Sequence, residues 1–365
     1  MLDSRHREFW AVPFLFSIAL TASNSKVIAT YFDGLTAQAV AALTMFVSYL
    51  IISVVARKVF NEIPVGAVRA AIILILIALI VCFLVVYPIE GAPQGVTGSD
   101  QDDAVNILAD HLFSLSSPYG QLTYLDNPIS NMAGSAILGW PARELMGSSA
   151  WGNPFIVVAA TAAMWRFWGP RPAAFTLLMS SASLGFLSSY LVGGDYFTSA
   201  IVLVSAAFWF RASRPGSWHE YAAAILVAVS GTTRIHLPAV ILILAAIIII
   251  RKGSKSAPAV AVMLFVSGAL VLIWFLPDPD GFAPLDTTGH AGGFIPTLVL
   301  IAFCGLLLIL AFRRAIDIVH LWLIGAAIIA VEVPIHPEIV FRGTPLLWFA
   351  IPTLISQLGI KTRGL

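Results

Sequence analysis

The stretch AAIILILIALIVCFLVVY, residues 70–87, contains no charged side chain. A helix needs about 20 apolar residues to cross the hydrocarbon core of a bilayer, so this stretch predicts a membrane-spanning helix. Similar apolar runs recur along the chain, in which 59% of the 365 residues are hydrophobic and only 11% are charged. Soluble domains carry about 25% charged residues. Segments of about 10 alternating residues, typical of an outer-membrane barrel, are absent. The sequence therefore predicts an all-α polytopic membrane protein.

Apolar runs bounded by proline, glycine or charge predict about twelve transmembrane helices. Together they are expected to form a single transmembrane domain over residues 1–365. The helices are expected at 9–21, 35–56, 69–87, 154–168, 173–191, 197–210, 219–231, 236–250, 257–276, 294–312, 318–333 and 344–359.

The basic residues predict the orientation, because lysine and arginine concentrate in cytoplasmic loops. Sixteen of the 20 basic residues fall at alternate connections, which places both termini in the cytoplasm. Fourteen of the 19 acidic residues fall on the opposite side or at its membrane edge. We therefore expect a cytoplasmic-membrane protein whose active face is extracytoplasmic. The basic residues that depart from the bias are Lys26, Arg143, Arg234 and Arg342.

The longest outer connection, residues 88–153, follows the third predicted helix and is expected to be partly helical. It contains GSDQDDAVNILADHLFSLSSPYG, residues 98–120. Ser99 suits the N-cap of a surface helix, and Asp102 three residues later gives a capping-box-like pair. Such capping accounts for one or two of the carboxylates.

The acidic pattern continues beyond this cap. Asp103, Asn106 and Asp110 recur at spacings of three and four, so they share one helix face. A helix that presents carboxylates above a bilayer could activate a hydroxyl group or hold a divalent cation. A second outer loop, residues 277–293, is expected to act as a flexible lid or as an acceptor-side loop.

The long loop resembles the first outer loop of GT-C-type glycosyltransferases, which are membrane enzymes that use polyprenyl-phosphate-linked sugars. The resemblance covers roughly residues 98–145. In much of that family the acidic loop follows the first helix, whereas here two predicted helices precede the one that leads into it. The matching residues are Asp102-Asp103-Ala104, Ser117-Pro118-Tyr119, Asn127-Pro128-Ile129-Ser130, and Ala133-Gly134 with Pro141.

This resemblance implies transfer of a sugar from a polyprenyl-phosphate donor to a hydroxyl group of a glycan, glycolipid or protein. It implies that Asp102 or Asp103 is the general base, with Asp100 as the next candidate. The first two are also candidate ligands of a divalent cation, Mg or Mn, and the sequence leaves open whether a metal is needed. The expected partners are the donor, the acceptor and membrane lipids. Nucleic acid is not expected.

Substrate-binding candidates come from the long loop and from outer turns. Arginine suits phosphate because its planar guanidinium can bind two oxygens at once. Asp195, in the short sequence GGDY, is expected instead to lie in a solvated turn. The candidates are Arg342, Arg234, His236, His336, Glu338, Tyr119, Asn127, Asp110 and Arg143.

Two other functions stay open. One is a flippase or transporter of lipid-linked substrates with an acidic outer vestibule, and the other is a non-catalytic membrane protein related to such enzymes. A proton-coupled transporter would carry ionisable groups inside its spans. The predicted spans are nearly free of such groups, apart from Glu332 near an outer edge, which favours the enzyme.

Overall fold

A computed structural model describes residues 32–90, 100–114, 116–234 and 237–284, together with Ser17, Thr21 and Ile28. These residues form helices, with two isolated β-bridges and no β-strand among them. The helices are α1 (Leu35–Glu62), α2 (Val65–Glu90), α3 (Gln101–Asp110), α4 (Ala133–Met146), α5 (Gly152–Trp168), α6 (Pro170–Ser181), α7 (Leu184–Leu191), α8 (Tyr196–Ala212), α9 (Trp218–Ser230), α10 (Leu237–Lys252) and α11 (Ala257–Phe275), with 3-10 turns at Ser149–Trp151 and Ser254–Ser256.

Three of the described helices are long and apolar enough to cross a membrane. The candidate spans are Leu35–Val55, Val65–Ile89 and Ser254–Phe275. The all-α class is therefore confirmed over the described residues, and these helices support a membrane protein. The count of twelve and the orientation of the termini stay predictions. Outside the described residues, apart from the helical Ser17 and Thr21, lie the predicted helices 9–21, 294–312, 318–333 and 344–359.

The helix predicted at 173–191 is in fact two helices, α6 and α7. The hydroxyls of Ser180 and Ser181 donate to backbone carbonyls four residues earlier. Such bonds compete with the helical ladder and often bend helices. The backbone N–H of Ser183 then donates to the carbonyl of Ser180, three residues earlier, at 2.9 Å. Helix α6 therefore ends in a turn of small residues, Ala182 and Ser183, without a proline or a charge.

The chain divides into two compact units. The first comprises residues 1–81, 158–188 and 319–365. Within it, the Tyr49 hydroxyl donates to the carbonyl of Ala182 at 3.0 Å, and Arg171 donates to the carbonyl of Ile63 at 3.1 Å. These bonds fasten the long helix α1 and the start of α2 to the α6 segment.

The second unit, residues 82–157 and 189–318, holds the predicted outer loop. Helix α4 packs against α3, α9 and α11. Close approach requires glycine at position 134, since a Cβ there would lie 2.1 Å from the carbonyl oxygen of Val229. The loop therefore packs against α9 and α11 and shares a core with residues of and after α11. That core includes Leu108, Tyr119, Ile129, Met132, Trp274 and Phe282.

Candidate functional site

The side chain of Asp102 lies at the end of helix α2, in the second unit. Its Oδ2 accepts a hydrogen bond from the Tyr87 hydroxyl at 2.6 Å, and the Ser148 hydroxyl lies 3.3 Å from the same oxygen. The Tyr87 and Ser148 hydroxyls are themselves 2.8 Å apart. Asp102 is only 5% exposed. Asp102 therefore ties the first turn of α3 to the end of a candidate membrane span. Asp103 follows it directly in the sequence.

Burial governs the ionisation of Asp102. It raises the pKa of this carboxyl group from 3.8 to about 6, and the hydrogen bond from Tyr87 opposes the increase. Aromatic rings surround the pair, with Tyr87 stacked on Phe83 at 5.0 Å and set edge-on to Trp151 at 5.3 Å. Such apolar surroundings disfavour the charged form of a carboxyl group. Asp102 therefore changes its charge near neutral pH.

Asp103 and Asp100 hold the turn formed by residues 123–127. Asp103 Oδ2 accepts from the backbone N–H of Tyr124 at 2.9 Å, and its Oδ1 makes no hydrogen bond with a described residue. Asp100 Oδ2 accepts from the Thr123 hydroxyl and from the Asn127 amide, the latter at 2.7 Å. Asp103 is half-buried. Asp102 also has an oxygen without a hydrogen bond, Oδ1, but that atom is buried, so Asp103 is the more exposed of the two adjacent aspartates.

The ring of Tyr124 lies near all three carboxylates. Burial raises the pKa of its phenol, and the charges of Asp102, Asp100 and Asp103 raise it further. Tyr124 therefore stays a neutral phenol beside a negatively charged turn. The carboxylates at the start of α3 thus act together on one side chain, although each has different hydrogen-bond partners.

The predicted capping of α3 is wrong in its details. Asp100 occupies the N-cap position and makes no side-chain cap bond, and Ser99 lies outside the described residues. Asp102 bonds to Tyr87 and Ser148. The acidic residues therefore join α3 to the rest of the loop.

The predicted polar face of α3 is present, but its side chains contact later segments of the same loop. Asn106 Oδ1 accepts from the backbone N–H of Ser149 at 2.7 Å. Asp110 forms a two-point ion pair with Arg143, at 3.0 and 2.8 Å. The exposed pair lies near the end of α4, where Arg143 also donates to the carbonyl of Gly147. Two of the predicted substrate-binding residues, Asp110 and Arg143, therefore bind each other.

A buried ion pair joins Asp195 and Arg234. Arg234 Nη2 donates to Asp195 Oδ1 at 2.6 Å, and Arg234 Nη1 donates to the Ser130 hydroxyl at 2.9 Å. Asp195 Oδ2 accepts from Asn131 and Ser135, each at 2.8 Å. Asp195 is 9% exposed, so its interpretation as a solvated turn residue is wrong. The turn is instead folded inward onto the arginine.

Two glycines connect this ion pair to Asp102. Gly193 has a φ of +84°, and a Cβ there would lie 3.2 Å from the Cβ of Asp102 and 2.8 Å from Tyr87 Cε2. A Cβ on Gly194 would lie 2.1 Å from Gln101 Oε1. The turn therefore packs against the first turn of α3, and Asp195 follows directly. Asp102 and the Asp195–Arg234 pair thus both contact or belong to one short turn, residues 193–195.

The other candidates fall into two groups. Tyr119 is buried, donates to the carbonyl of Asn131 at 3.0 Å, and packs edge-on to Phe282 and Trp274. Burial raises the pKa of its phenol. Its visible role is to support the strand-like segment that carries Asn131. Outside the described residues lie His236, His336, Glu338 and Arg342.

A metal site stays a prediction. Within the described ranges, no three His, Cys, Asp or Glu side chains converge as metal ligands. Asp102 and Asp103 are adjacent, but the first bonds inward to Tyr87 and the second bonds to the Tyr124 backbone.

Sequence reasoning missed several residues that build this site. Two signals were present, namely a tyrosine at the end of the span 70–87 and a Gly-Gly pair directly before Asp195. Adjacent glycines often mark a close backbone approach. The missed residues are Tyr87, Thr123, Tyr124, Asn131, Ser135, Ser148 and Asp195.

Comparisons of the chain with family models, with curated proteins and with solved structures found no match. The resemblance to GT-C-type enzymes therefore rests on the loop residues alone.

Proposed function

We propose that the protein is a membrane glycosyltransferase that moves a sugar from a polyprenyl-phosphate donor to an acceptor hydroxyl group. The observation that carries the proposal is the pair Asp102 and Asp103 at the end of a candidate span. The Asp102 carboxyl group is buried, and the half-buried Asp103 has an Oδ1 that makes no hydrogen bond with a described residue. The phosphate of a lipid-linked donor lies at the same level as the end of a membrane span.

In this mechanism Asp103 is the general base. Its Oδ1 takes the proton of the acceptor hydroxyl while the acceptor oxygen bonds to the anomeric carbon of the sugar. The bond between that carbon and the phosphate oxygen breaks, and polyprenyl phosphate leaves. A base must lie within hydrogen-bond reach of the proton that it takes. This requirement favours the half-buried Asp103 over Asp102.

Asp102 acts as a positioning residue. Its bonds to Tyr87 and Ser148 hold the first turn of α3 against the end of α2. Asp103 is the next residue, so the height of its carboxylate above the span depends on this anchor. Rigid support of this kind matters because a displacement of 1 Å can cost about a hundredfold in rate.

The phosphate requires positive charge. Arg234 is held in a fixed orientation by Asp195 and Ser130, and Arg342, with His336 and Glu338, is a second candidate outside the described residues. A guanidinium that already pairs with one carboxylate is partly neutralised. We therefore assign the larger share of phosphate binding to Arg342.

The test uses the full chain in lipid nanodiscs with a panel of polyprenyl-phosphate sugars and a membrane-glycan extract as acceptor. Released polyprenyl phosphate is measured by mass spectrometry. We expect release by the wild type and a loss of a hundredfold or more in Asp103→Asn, since general-base catalysis contributes about 10²–10⁴. Asp126→Asn is the matched control, because Asp126 is exposed in the same loop. Full activity in Asp103→Asn would refute the assignment of the base.

One observation favours a second candidate, a non-catalytic membrane protein. Asp100, Asp102, Asp110 and Asp195 all hold the loop together through hydrogen bonds or ion pairs. In that case the acidic residues are structural only. No release from any donor by a folded wild-type protein, together with a loss of stability in Asp103→Asn, would support this second candidate.

A further inference from the structure

At the opposite end of α9 from the candidate site, two chain connections are fastened together by a buried ion pair. Lys252 Nζ donates to Glu220 Oε1 and to the carbonyls of Phe210 and Ser213, at 2.9 and 2.7 Å for the carbonyls. The Ser256 hydroxyl donates to the same Glu220 oxygen at 2.7 Å. Glu220 is fully buried. The connection after α8 is therefore held against the connection after α10.

The two chain segments fastened in this way carry exposed basic side chains. Arg214 comes from the first, and Arg251 and Lys255 come from the second; all three are exposed. Trp218, at the start of α9, is 69% exposed and stacks on His219 with ring centroids 3.7 Å apart. We call Arg214, Trp218, Arg251 and Lys255 the basic platform.

The basic platform lies at the end of a candidate membrane span. That span, Ser254–Phe275, begins next to Lys255 and three residues after Arg251. Arg214 directly follows Ser213, whose carbonyl accepts a hydrogen bond from Lys252 at 2.7 Å. Exposed tryptophan is enriched where headgroups meet hydrocarbon, and basic residues near a membrane attract anionic lipids. All three features occur where the two fastened chain segments meet.

We propose that the basic platform binds the headgroup of an anionic phospholipid. The guanidinium of Arg214 and the ammonium of Lys255 pair with the lipid phosphate, and the Trp218 indole lies along the first part of the acyl chains. The buried pair fixes the spacing of the two connections before a lipid arrives. A preformed site binds more tightly because less ordering is needed on binding.

The charge of the buried pair supports this role. A buried ion pair contributes little net stability compared with apolar residues of the same size. Lys252 also donates to two carbonyls that end α8 and the following turn, so it fixes backbone as well as charge. The pair therefore specifies the position of Arg214 relative to Lys255.

The test is lipid titration of the full chain in neutral detergent, followed by native mass spectrometry. The probes are phosphatidylglycerol, phosphatidylcholine and inorganic phosphate. We expect tighter binding of phosphatidylglycerol than of phosphatidylcholine, and no competition by inorganic phosphate. Arg214→Ala and Lys255→Ala should each weaken phosphatidylglycerol binding about fivefold, and the double variant about thirtyfold, since a basic residue near the surface contributes about 1 kcal/mol.

Arg166→Ala is the matched control. Arg166 is an exposed arginine in the other unit, predicted to lie on the same membrane side. It should leave phosphatidylglycerol binding unchanged. Equal affinity for the two lipids, an unchanged affinity in the double variant, or an equal loss in Arg166→Ala would overturn the proposal. Competition by inorganic phosphate would assign the site to free phosphate and would overturn the lipid assignment as well.

Discussion

Arg234 and Asp195, 39 residues apart in the sequence, form an ion pair with 2.6 Å between Nη2 and Oδ1. Their side chains are 7% and 12% exposed. Both carboxylate oxygens of Asp195 accept hydrogen bonds: Oδ1 from Arg234, and Oδ2 from Asn131 and Ser135. The pair fastens the turn after α7 to the segment that follows α9, and Gly193 of the same turn packs against Asp102.

Asp195→Asn should destabilise the protein strongly. The amide replaces an acceptor oxygen with a donor facing other donors, and it leaves Arg234 buried without its counter-charge. Removing one partner of a buried ion pair costs about 3–5 kcal/mol. The measurement is the free energy of unfolding in detergent micelles.

Asp126→Asn is the control for this change. Asp126 is exposed and has a φ of +58°, which asparagine adopts readily. We expect a change within about 0.5 kcal/mol. A similarly small loss in Asp195→Asn would contradict the view that the pair supports the fold.

Asp102→Asn should stabilise the protein above pH 6. The folded-state pKa of Asp102 is about 6 and its ordinary value is 3.8. A raised pKa favours the protonated folded state, so its contribution is complete below pH 4 and is lost as the pH rises through 6. The loss is about 3 kcal/mol for a shift of about two pH units. Asparagine has no such titration.

The check is the unfolding free energy of the wild type and Asp102→Asn between pH 4 and pH 8. The difference between the two proteins should grow from pH 4 to pH 6 and then level off. Parallel curves would show that Asp102 does not titrate in this range. A variant that is more stable and less active would show that the buried acid is retained for function.

Tyr87→Phe should shift this pH dependence upwards. The Tyr87 hydroxyl donates to Asp102 at 2.6 Å, and this bond lowers the pKa of the carboxyl group. Without it the pKa rises above about 6, so the stability of the variant should continue to fall at pH values where the wild-type curve is level. Tyr221→Phe removes a hydroxyl that does not bond to Asp102 and should leave the wild-type profile unchanged. An unaltered profile in Tyr87→Phe would mean that the bond does not govern the ionisation of Asp102.

Local patterns predicted the helices well, because length and apolar composition are properties of a short segment. The helix at 69–87 is present within α2, and Asp103, Asn106 and Asp110 do share the face of α3 that is not fully buried. The prediction failed at 173–191, where the chain turns at Ala182 and Ser183 between α6 and α7. Alanine and serine are compatible with a helix, so composition alone does not indicate this break.

The candidate site was only partly predictable, because its contacts join distant segments. Periodicity placed Asp103, Asn106 and Asp110 on one face, but it carried no information about the Tyr124 backbone, the Ser149 backbone or Arg143, which these residues contact. Periodicity also carried no information about the partner of Asp195, because two helices, α8 and α9, separate it from Arg234 in the sequence. Neighbouring residues determine which face is polar, whereas tertiary packing determines what that face binds.

Gly193→Ala tests the close packing between the turn after α7 and the first turn of α3. Gly193 has a φ of +84°, and a Cβ there would lie 2.7 Å from the Cβ of Ala150 and 2.8 Å from Tyr87 Cε2. The left-handed backbone costs alanine about 1–2 kcal/mol, and overpacking costs about 1–3 kcal/mol. We expect a total loss of about 2–5 kcal/mol in the free energy of unfolding.

Gly216→Ala separates these two costs. Gly216 has a φ of +77°, and a Cβ there would meet no atom within 4 Å. It should therefore lose only the backbone contribution of about 1–2 kcal/mol. Equal losses at the two positions would show that Gly193 does not pack closely against Tyr87 and Asp102. A larger loss in Gly193→Ala, together with a changed pH dependence between pH 4 and pH 6, would show that this turn holds Asp102 in its buried position.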